Sequence, residues 1–100
     1  MAIKKQIKIT EDDLKIIYGD DYKFFKSKII PNCFCHTCPP SKYDATIVDY
    51  DIFLNDLNDV VLKGFCAKCG GKIARCLETG EAPEYLPRIK KIKKKYKASF

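Results

Sequence analysis

The sequence is poor in the residues from which enzyme active sites are built. It contains one histidine, His36, and no glycine-rich loop that would cradle a phosphate. No nucleophilic side chain has an evident base near it in the sequence. Asp49 and Asp51 resemble a catalytic carboxylate pair, but their regular alternation with apolar residues favours the solvated face of a strand. We therefore expect a protein without enzymatic activity or a small-molecule substrate.

The chain also lacks a long apolar run. No stretch approaches the roughly 18 residues that a membrane-spanning helix requires. The charged opening is not followed by an apolar segment, so it predicts no signal peptide. We expect a cytoplasmic protein, and in a reducing compartment its 6 cysteines favour metal binding over disulfide bonds. Buried or disulfide-bonded cysteines are the alternative.

Acidic residues are missing from both ends of the chain. The formal net charge is +6, yet residues 11–84 carry nine basic and thirteen acidic side chains, a balance of −4. Residues 1–10 add three lysines and residues 85–100 add seven basic groups. The positive charge of this small basic protein is therefore a property of its termini.

Two C-x-x-C steps, Cys35/Cys38 and Cys66/Cys69, are the strongest signal in the sequence. Two thiolates three positions apart can bind one metal ion when the backbone turns tightly between them, and four complete the tetrahedron that Zn²⁺ accepts. The 27 residues of 39–65 leave room for two antiparallel strands between the pairs. The spacing predicts one Zn²⁺ per chain, bound by these four cysteines.

Three possible ligands remain outside this set: Cys33, His36 and Cys76. A second closed site needs about four ligands, so we expect only one metal. Cys33 is the rival of Cys35, because both lie on one face of a short predicted strand. We favour Cys35 because its pairing reproduces the spacing of the second step. His36 is expected to point to solvent, and Cys76 to be a small buried apolar side chain.

Helix signals are concentrated in the first third of the chain. Thr10 and the three acids that follow it mark a helix start, and Gly19 marks its end. A second short helix is predicted from about Asp21, ending before Pro31. The lysine-rich residues 1–10 predict either a short strand or a loose arm.

Strand signals occupy the middle of the chain. Residues 44–55 alternate in a way typical of a half-buried antiparallel strand. Further strands are predicted over residues 60–65 and 72–78, on either side of the second cysteine pair. The face predicted to be buried in the first of these strands is formed by Val48, Tyr50, Ile52 and Leu54.

This arrangement resembles the zinc-ribbon family. The resemblance rests on the two cysteine pairs, on Gly70-Gly71 after the second pair, and on the surrounding strands. It covers residues 29–80 and leaves an N-terminal arm with helices at 1–28 and a basic tail at 81–100. It implies a small α+β domain, in which an antiparallel ribbon of three to four strands is stabilised by metal. Zinc ribbons occur in transcription factors, polymerase subunits, ribosomal proteins and adaptors, so the family does not choose an activity.

The basic tail has an apolar stripe at helical spacing, and a helix is predicted over residues 87–97. Three interpretations are open. The helix docks on the domain, or it lies on an acidic partner or membrane surface, or its cations contact nucleic-acid phosphates. In the last case the contacting residues are Arg88, Lys90, Lys91, Lys93, Lys94, Lys95 and Lys97.

These features favour a non-enzymatic zinc-ribbon protein that binds nucleic acid, or an assembly that processes it, through its basic termini. Lys4, Lys5 and Lys8 are expected to add phosphate contacts. One alternative is a protein-interaction adaptor whose zinc is purely structural. The other is a rubredoxin-like iron electron carrier, because rubredoxins also place two C-x-x-C turns around one metal. The chain departs from that pattern in having Pro39 after its first pair, and in its basic tail.

Overall fold

Four antiparallel strands form the sheet of the structure, a computed structural model that describes residues 6–35 and 45–97. They are β1 (Gln6–Ile9), β2 (Ile47–Asn55), β3 (Val60–Cys66) and β4 (Lys72–Leu77), in the order β1-β2-β3-β4. The prediction of a small α+β domain with an antiparallel sheet is confirmed. The lysine-rich opening contributes a strand, because β1 pairs with β2 from Gln6 to Ile9.

The first helix, α1 (Glu11–Tyr18), begins and ends where the sequence predicts. The Asp13 amide donates to Thr10 Oγ1 at 3.1 Å, and the Thr10 amide donates to Asp13 Oδ2 at 3.1 Å. This reciprocal pair is a capping box, which satisfies two amides that the helix itself cannot pair. At the other end Gly19 has a φ of 56°, a backbone conformation that glycine adopts without steric cost.

The second helical segment is continuous with the first. A 3₁₀ turn (Gly19–Asp21) leads into α2 (Tyr22–Phe24), and a π-helical turn (Phe25–Ile29) extends it. The segment ends at Ile30, before Pro31, as predicted. After β4 come a 3₁₀ turn (Thr79–Glu81) and α3 (Leu86–Lys95). Among the described residues, no helix has the length and apolar character needed to cross a membrane.

The core lies between the helices and one face of the sheet. Alternation along β3 shows the two faces: Val60 and Leu62 are buried, whereas Lys63 and Phe65 are exposed. We call the face that carries Lys63 and Phe65 the outer face. The covered face and the helices share one hydrophobic cluster. Its members include Ile9, Leu14, Ile17, Phe25, Ile52, Leu54, Leu62, Ile73, Leu77, Ile89 and Ile92.

The prediction that Val48 is buried is wrong, because β2 contains a bulge at this position. The pairing with β3 shifts between Val48 and Asp51, so Ile47 is 1% exposed and Val48 is only half-buried. Gly64 lies opposite the bulge, where an added Cβ would approach the Val48 carbonyl oxygen to 2.7 Å. The absence of a side chain at Gly64 therefore allows the two backbones to approach. Beyond the bulge the prediction holds, since Ile52 and Leu54 are buried.

The basic tail docks on the domain through α3. Ile89 and Ile92 are 0% and 3% exposed, and the Arg88 guanidinium donates to the Ile17 carbonyl at 2.9 Å. Lys95 Nζ lies 2.8 Å from Asp13 Oδ1, and the Tyr96 hydroxyl donates to the other oxygen of Asp13. The helix ends at Lys95, two residues before its predicted end.

The contacts of Asp13 yield a stability prediction. Its side chain is 0% exposed. Burial raises the pKa of Asp13, but hydrogen bonds from Lys95, Tyr96 and Thr10 outweigh that effect and lower it from 3.8 to about 2. Asp13→Ala should reduce the free energy of unfolding by about 1.5–3 kcal/mol, the range for hydrogen bonds to a charged group. Urea denaturation at neutral pH measures this loss.

The stabilisation that Asp13 provides should decrease as the pH falls. Because the folded pKa is depressed, the ionised carboxylate stabilises the fold above about pH 4, and this contribution disappears as pH falls towards 2. The difference in stability between wild type and Asp13→Ala should therefore narrow across that window. Asp12→Ala is the matched control, since the Asp12 side chain is 90% exposed and should change stability by less than about 0.5 kcal/mol. Equal losses in the two variants would contradict a specific role for Asp13.

Candidate metal centre

Three of the four predicted metal ligands converge at one end of the sheet. The Sγ atoms of Cys35, Cys66 and Cys69 all lie within 4.8 Å of one another, and those of Cys35 and Cys69 are 3.5 Å apart. Thiolates bound tetrahedrally at Zn–S distances of about 2.3 Å are separated by roughly 3.8 Å. The observed spacing fits a shared metal ion and is far longer than a disulfide bond of about 2.05 Å. Cys38, the fourth predicted ligand, lies outside the described residues.

The second cysteine pair occupies a tight turn between β3 and β4. The Cys66 amide donates to the Gly71 carbonyl at 2.8 Å, and the Gly70 amide donates to the Cys66 carbonyl at 2.9 Å. Gly70 has a φ of 74°, which explains why a glycine follows the pair. The Gly71 amide donates to Cys69 Sγ at 3.4 Å, which orients this sulfur within the turn.

The first cysteine pair is approached through a short antiparallel bridge. Cys33 and Ala45 exchange two backbone hydrogen bonds, of 2.8 and 3.0 Å, in place of the short strand predicted there. The Ala67 amide then donates to the Thr46 carbonyl at 2.9 Å. This bond ties the chain after the first pair to the turn of the second pair. The backbone thus brings Cys35 beside the second pair.

Cys33 is separate from this cluster. Its side chain is 0% exposed, and its sulfur lies 3.4 Å from the Ile29 carbonyl and 3.7 Å from the Ile30 carbonyl, so the thiol donates to the end of the helical segment. Burial raises the pKa of the Cys33 thiol, and the positive charge of Arg75 only partly offsets this. Of the two rivals for the first ligand position, the structure therefore places Cys35 among the clustered sulfurs. His36 lies outside the described residues.

Cys76 corrects the sequence prediction. It was expected to be buried, but it is exposed on β4. Burial along β4 alternates, so Ile73 and Leu77 face the core while Ala74 and Cys76 lie on the outer face. Cys76 is exposed because the helices cover the opposite face of the sheet.

The two acids of β2 are exposed, as their alternation predicts. Asp51 forms an ion pair with Lys8 at 3.2 Å, between side chains that are both more than half exposed. Asp49 sits in the bulge with a φ of 52°, an uncommon conformation for a residue other than glycine.

The seven basic residues of the tail divide into two groups. Arg88, Lys93 and Lys95 contact the domain: Lys93 is 7% exposed and its ammonium donates to the Asn58 side chain. Burial lowers the pKa of Lys93, partly offset by the charge of Asp56. The other four predicted contact residues are exposed, and we call them the tail lysines: Lys90, Lys91, Lys94 and Lys97.

Two exposed aromatic residues adjoin the cluster and were not singled out by the sequence pattern. Phe34 precedes Cys35 and Phe65 precedes Cys66, and they are 37% and 42% exposed. The signal that would have identified them is alternation, because the neighbour of an inward-facing residue in an extended segment points outward.

No family model, no curated protein and no solved structure matches this chain. Its function must therefore be argued from the site itself.

The separation of Cys33 from the cluster gives a direct test. Cys69→Ser should abolish stoichiometric metal binding, because it removes one of the clustered sulfurs. Cys33→Ala should keep the metal content of wild type and lose only stability, since it removes a buried thiol from the core. Metal analysis of the purified variants, together with thermal unfolding, measures both effects. Retained metal in Cys69→Ser, or lost metal in a folded Cys33→Ala, would contradict the assignment.

Proposed function

We propose that the chain is a zinc-ribbon protein in which one Zn²⁺ is bound by Cys35, Cys38, Cys66 and Cys69. The spacing of the three clustered sulfurs supports the proposal. Cys38 completes the set because three residues of chain span at most about 11 Å, which keeps it within reach of Cys35. Four thiolates close the coordination sphere and leave no position for a reactive water. The metal then cross-links the two turns, and the protein is not an enzyme.

Metal analysis tests the identity of the ion. We expect about one equivalent of zinc per chain and a colourless solution, because Zn²⁺ has a filled d shell. A chelator that removes the ion should also destabilise the fold, since binding and folding are coupled at such sites. A red, iron-containing protein would support the rubredoxin-like alternative instead.

We further propose that the protein binds nucleic acid through the tail lysines. The observation that carries this proposal is the docking of α3, which buries Ile89 and Ile92. Three of the tail lysines are exposed on this short helix, and the fourth, Lys97, is exposed two residues after its end. No acidic residue occurs in residues 85–100 to neutralise them locally. Lysines on a docked helix contact phosphates with less loss of conformational freedom than lysines on a loose arm.

Three of the seven basic residues of the tail have partners within the domain, which lowers the number of phosphate contacts that we expect from the tail. Lys95 is paired with Asp13, Lys93 is buried, and Arg88 donates to a backbone carbonyl. At most four cations of the tail are then available for phosphates. Each contact contributes roughly −0.9 to the slope of log affinity against log salt on duplex DNA, so the tail predicts a slope of about −3 to −4.

Charge substitution tests this proposal better than truncation, because removing α3 would expose the core that Ile89 and Ile92 fill. The triple variant Lys90→Gln, Lys91→Gln, Lys94→Gln should reduce the salt slope by about three contacts and weaken binding at low ionic strength. Fluorescence anisotropy with a labelled duplex, measured over a range of salt concentrations, gives both quantities.

The matched control removes the same charge from the α2 region, with Lys23→Gln, Lys26→Gln and Lys28→Gln, all at exposed positions. It should keep most of the affinity. Equal losses in the two triple variants would show an effect of net charge alone. Absence of salt-dependent binding in wild type would reject the nucleic-acid proposal and favour the adaptor alternative.

A further inference from the structure

We propose that the outer face of the sheet carries a second binding site, which accepts unpaired bases of single-stranded nucleic acid between Phe34 and Phe65. The inference deepens the proposed function by naming the form of nucleic acid, and it rests on that function only for the contribution of the tail lysines. A cavity of about 560 Å³ opens on this face. The residues that define its chemistry are Phe34, Asp49, Asp51, Lys63, Phe65 and Lys72.

The two phenylalanines are held by the cysteine cluster. Cys35 and Cys66 are buried, at 1% and 2% exposure, and the residue before each of them points outward. Both rings line the same cavity. A metal that joins the two cysteines therefore also fixes the relative position of the two rings. An aromatic ring at a fixed position loses little freedom when a base stacks on it, and base stacking tolerates any sequence.

Lysines flank Phe65 on the outer face. Lys72 lies directly opposite Phe65 in the β3–β4 pairing, and Lys63 is two residues away on the same face of β3. Lys63 Nζ lies 5.0 Å from the centre of the Phe53 ring, so cations and aromatic rings are interleaved on this surface. A base on Phe65 thus has two lysine side chains on the same face of the sheet, and lysines with aromatic rings are the combination found in grooves that bind single strands.

The acids on the cavity wall leave a small positive balance on this surface, with Lys8, Lys63 and Lys72 against Asp49 and Asp51. Asp51 pairs with Lys8 at 3.2 Å and is also opposite Lys63 in the strand register. Asp49 lies in the bulge that Gly64 permits, and it lines the same cavity. A carboxylate accepts hydrogen bonds from the exocyclic amino groups of bases, and an unpaired base also offers its whole Watson–Crick edge to such a group.

An exposed apolar surface can also hold a protein, but the interleaved lysines favour an anionic, aromatic ligand. The two ligands are distinguished by replacing the ring without removing its apolar area. Leucine preserves apolar contact with a protein and removes the π face on which a base stacks, whereas tyrosine keeps that face.

The experiment measures binding of a labelled single strand of about 12 nucleotides, and of the same sequence as a duplex. Phe65→Leu should weaken single-strand binding by about five- to a hundredfold, leave duplex binding unchanged and leave the salt slope unchanged, because no charge is removed. Phe34→Leu should act in the same direction, and Phe65→Tyr should retain wild-type affinity. Phe24→Leu is the matched control, since Phe24 is 58% exposed on α2, away from the cavity. Metal content is measured in every variant to verify the fold.

The outcomes separate the two proposals. If both leucine variants bind single strands as tightly as wild type while the tail-lysine variant loses affinity, the stacking site is wrong and the proposed function stands. If the leucine variants lose single-strand affinity and the tail-lysine variant does not, the stacking site stands and the role of the tail is wrong. Loss of affinity in Phe65→Tyr with metal content intact would overturn stacking. Wild type that binds neither form would overturn both proposals.

Discussion

A four-stranded sheet has two faces, and the described helices of this chain pack against one of them. Apolar side chains on that face gain most of the stability that burial supplies, since the driving force follows the apolar area removed from water. Leu62 and Leu54 are completely buried there, while Phe65 and Cys76 on the outer face remain exposed. The sulfur cluster lies at the boundary, because Cys35 and Cys66 are buried and Cys69 is exposed. The positions of the core, the sulfur cluster and the exposed rings all follow from this one-sided packing.

Backbone hydrogen bonds bring the candidate metal ligands together. Hydrogen bonds from Cys66 to Gly71 and from Ala67 to Thr46 fix the second turn against the chain that follows the first. Three sulfurs are thereby held close together, and thiolates so close repel one another unless a cation or protons neutralise them. The proposed divalent metal would remove this repulsion and add a cross-link to a domain of 100 residues, a size at which burial alone gives modest stability. Metal binding and folding are therefore expected to be coupled.

Sequence signals predicted the features of the fold that neighbouring residues determine, namely the helix boundaries and the cysteine turns. Thr10, Gly19 and Pro31 set helix boundaries through their own backbone and capping chemistry, and the structure follows them. The clustering of Cys35 with Cys66 and Cys69 was predicted because ligand spacing encodes turn geometry.

The sequence pattern did not predict burial correctly where contacts between distant parts of the chain determine it. The bulge that buries Ile47 instead of Val48 depends on the missing side chain of Gly64, on the neighbouring strand. Cys76 looked apolar and buried because alternation shows that a strand has two faces but not which one the helices cover. The acids after Thr10 favour a helix N-terminus, but the burial of Asp13 under Lys95 joins residues 82 positions apart, which no local pattern reveals.

The docking of α3 also places the two proposed binding surfaces on different sides of the molecule. The helix covers one face of the sheet, whereas Phe34 and Phe65 line a cavity on the other, and a packed layer is about 10 Å thick. A stiff duplex that lies along the tail lysines cannot bend around such a small domain, because DNA has a persistence length of about 150 base pairs. A single strand has no such stiffness, so it can pass from the tail lysines to the aromatic pair. The two surfaces share no residues, so their contributions to the binding free energy are expected to be almost additive. A single strand that contacts both surfaces would therefore bind with roughly the sum of the two contributions. The two proposals together therefore predict a preference for single strands, from the positions of the two surfaces as well as from the chemistry of each.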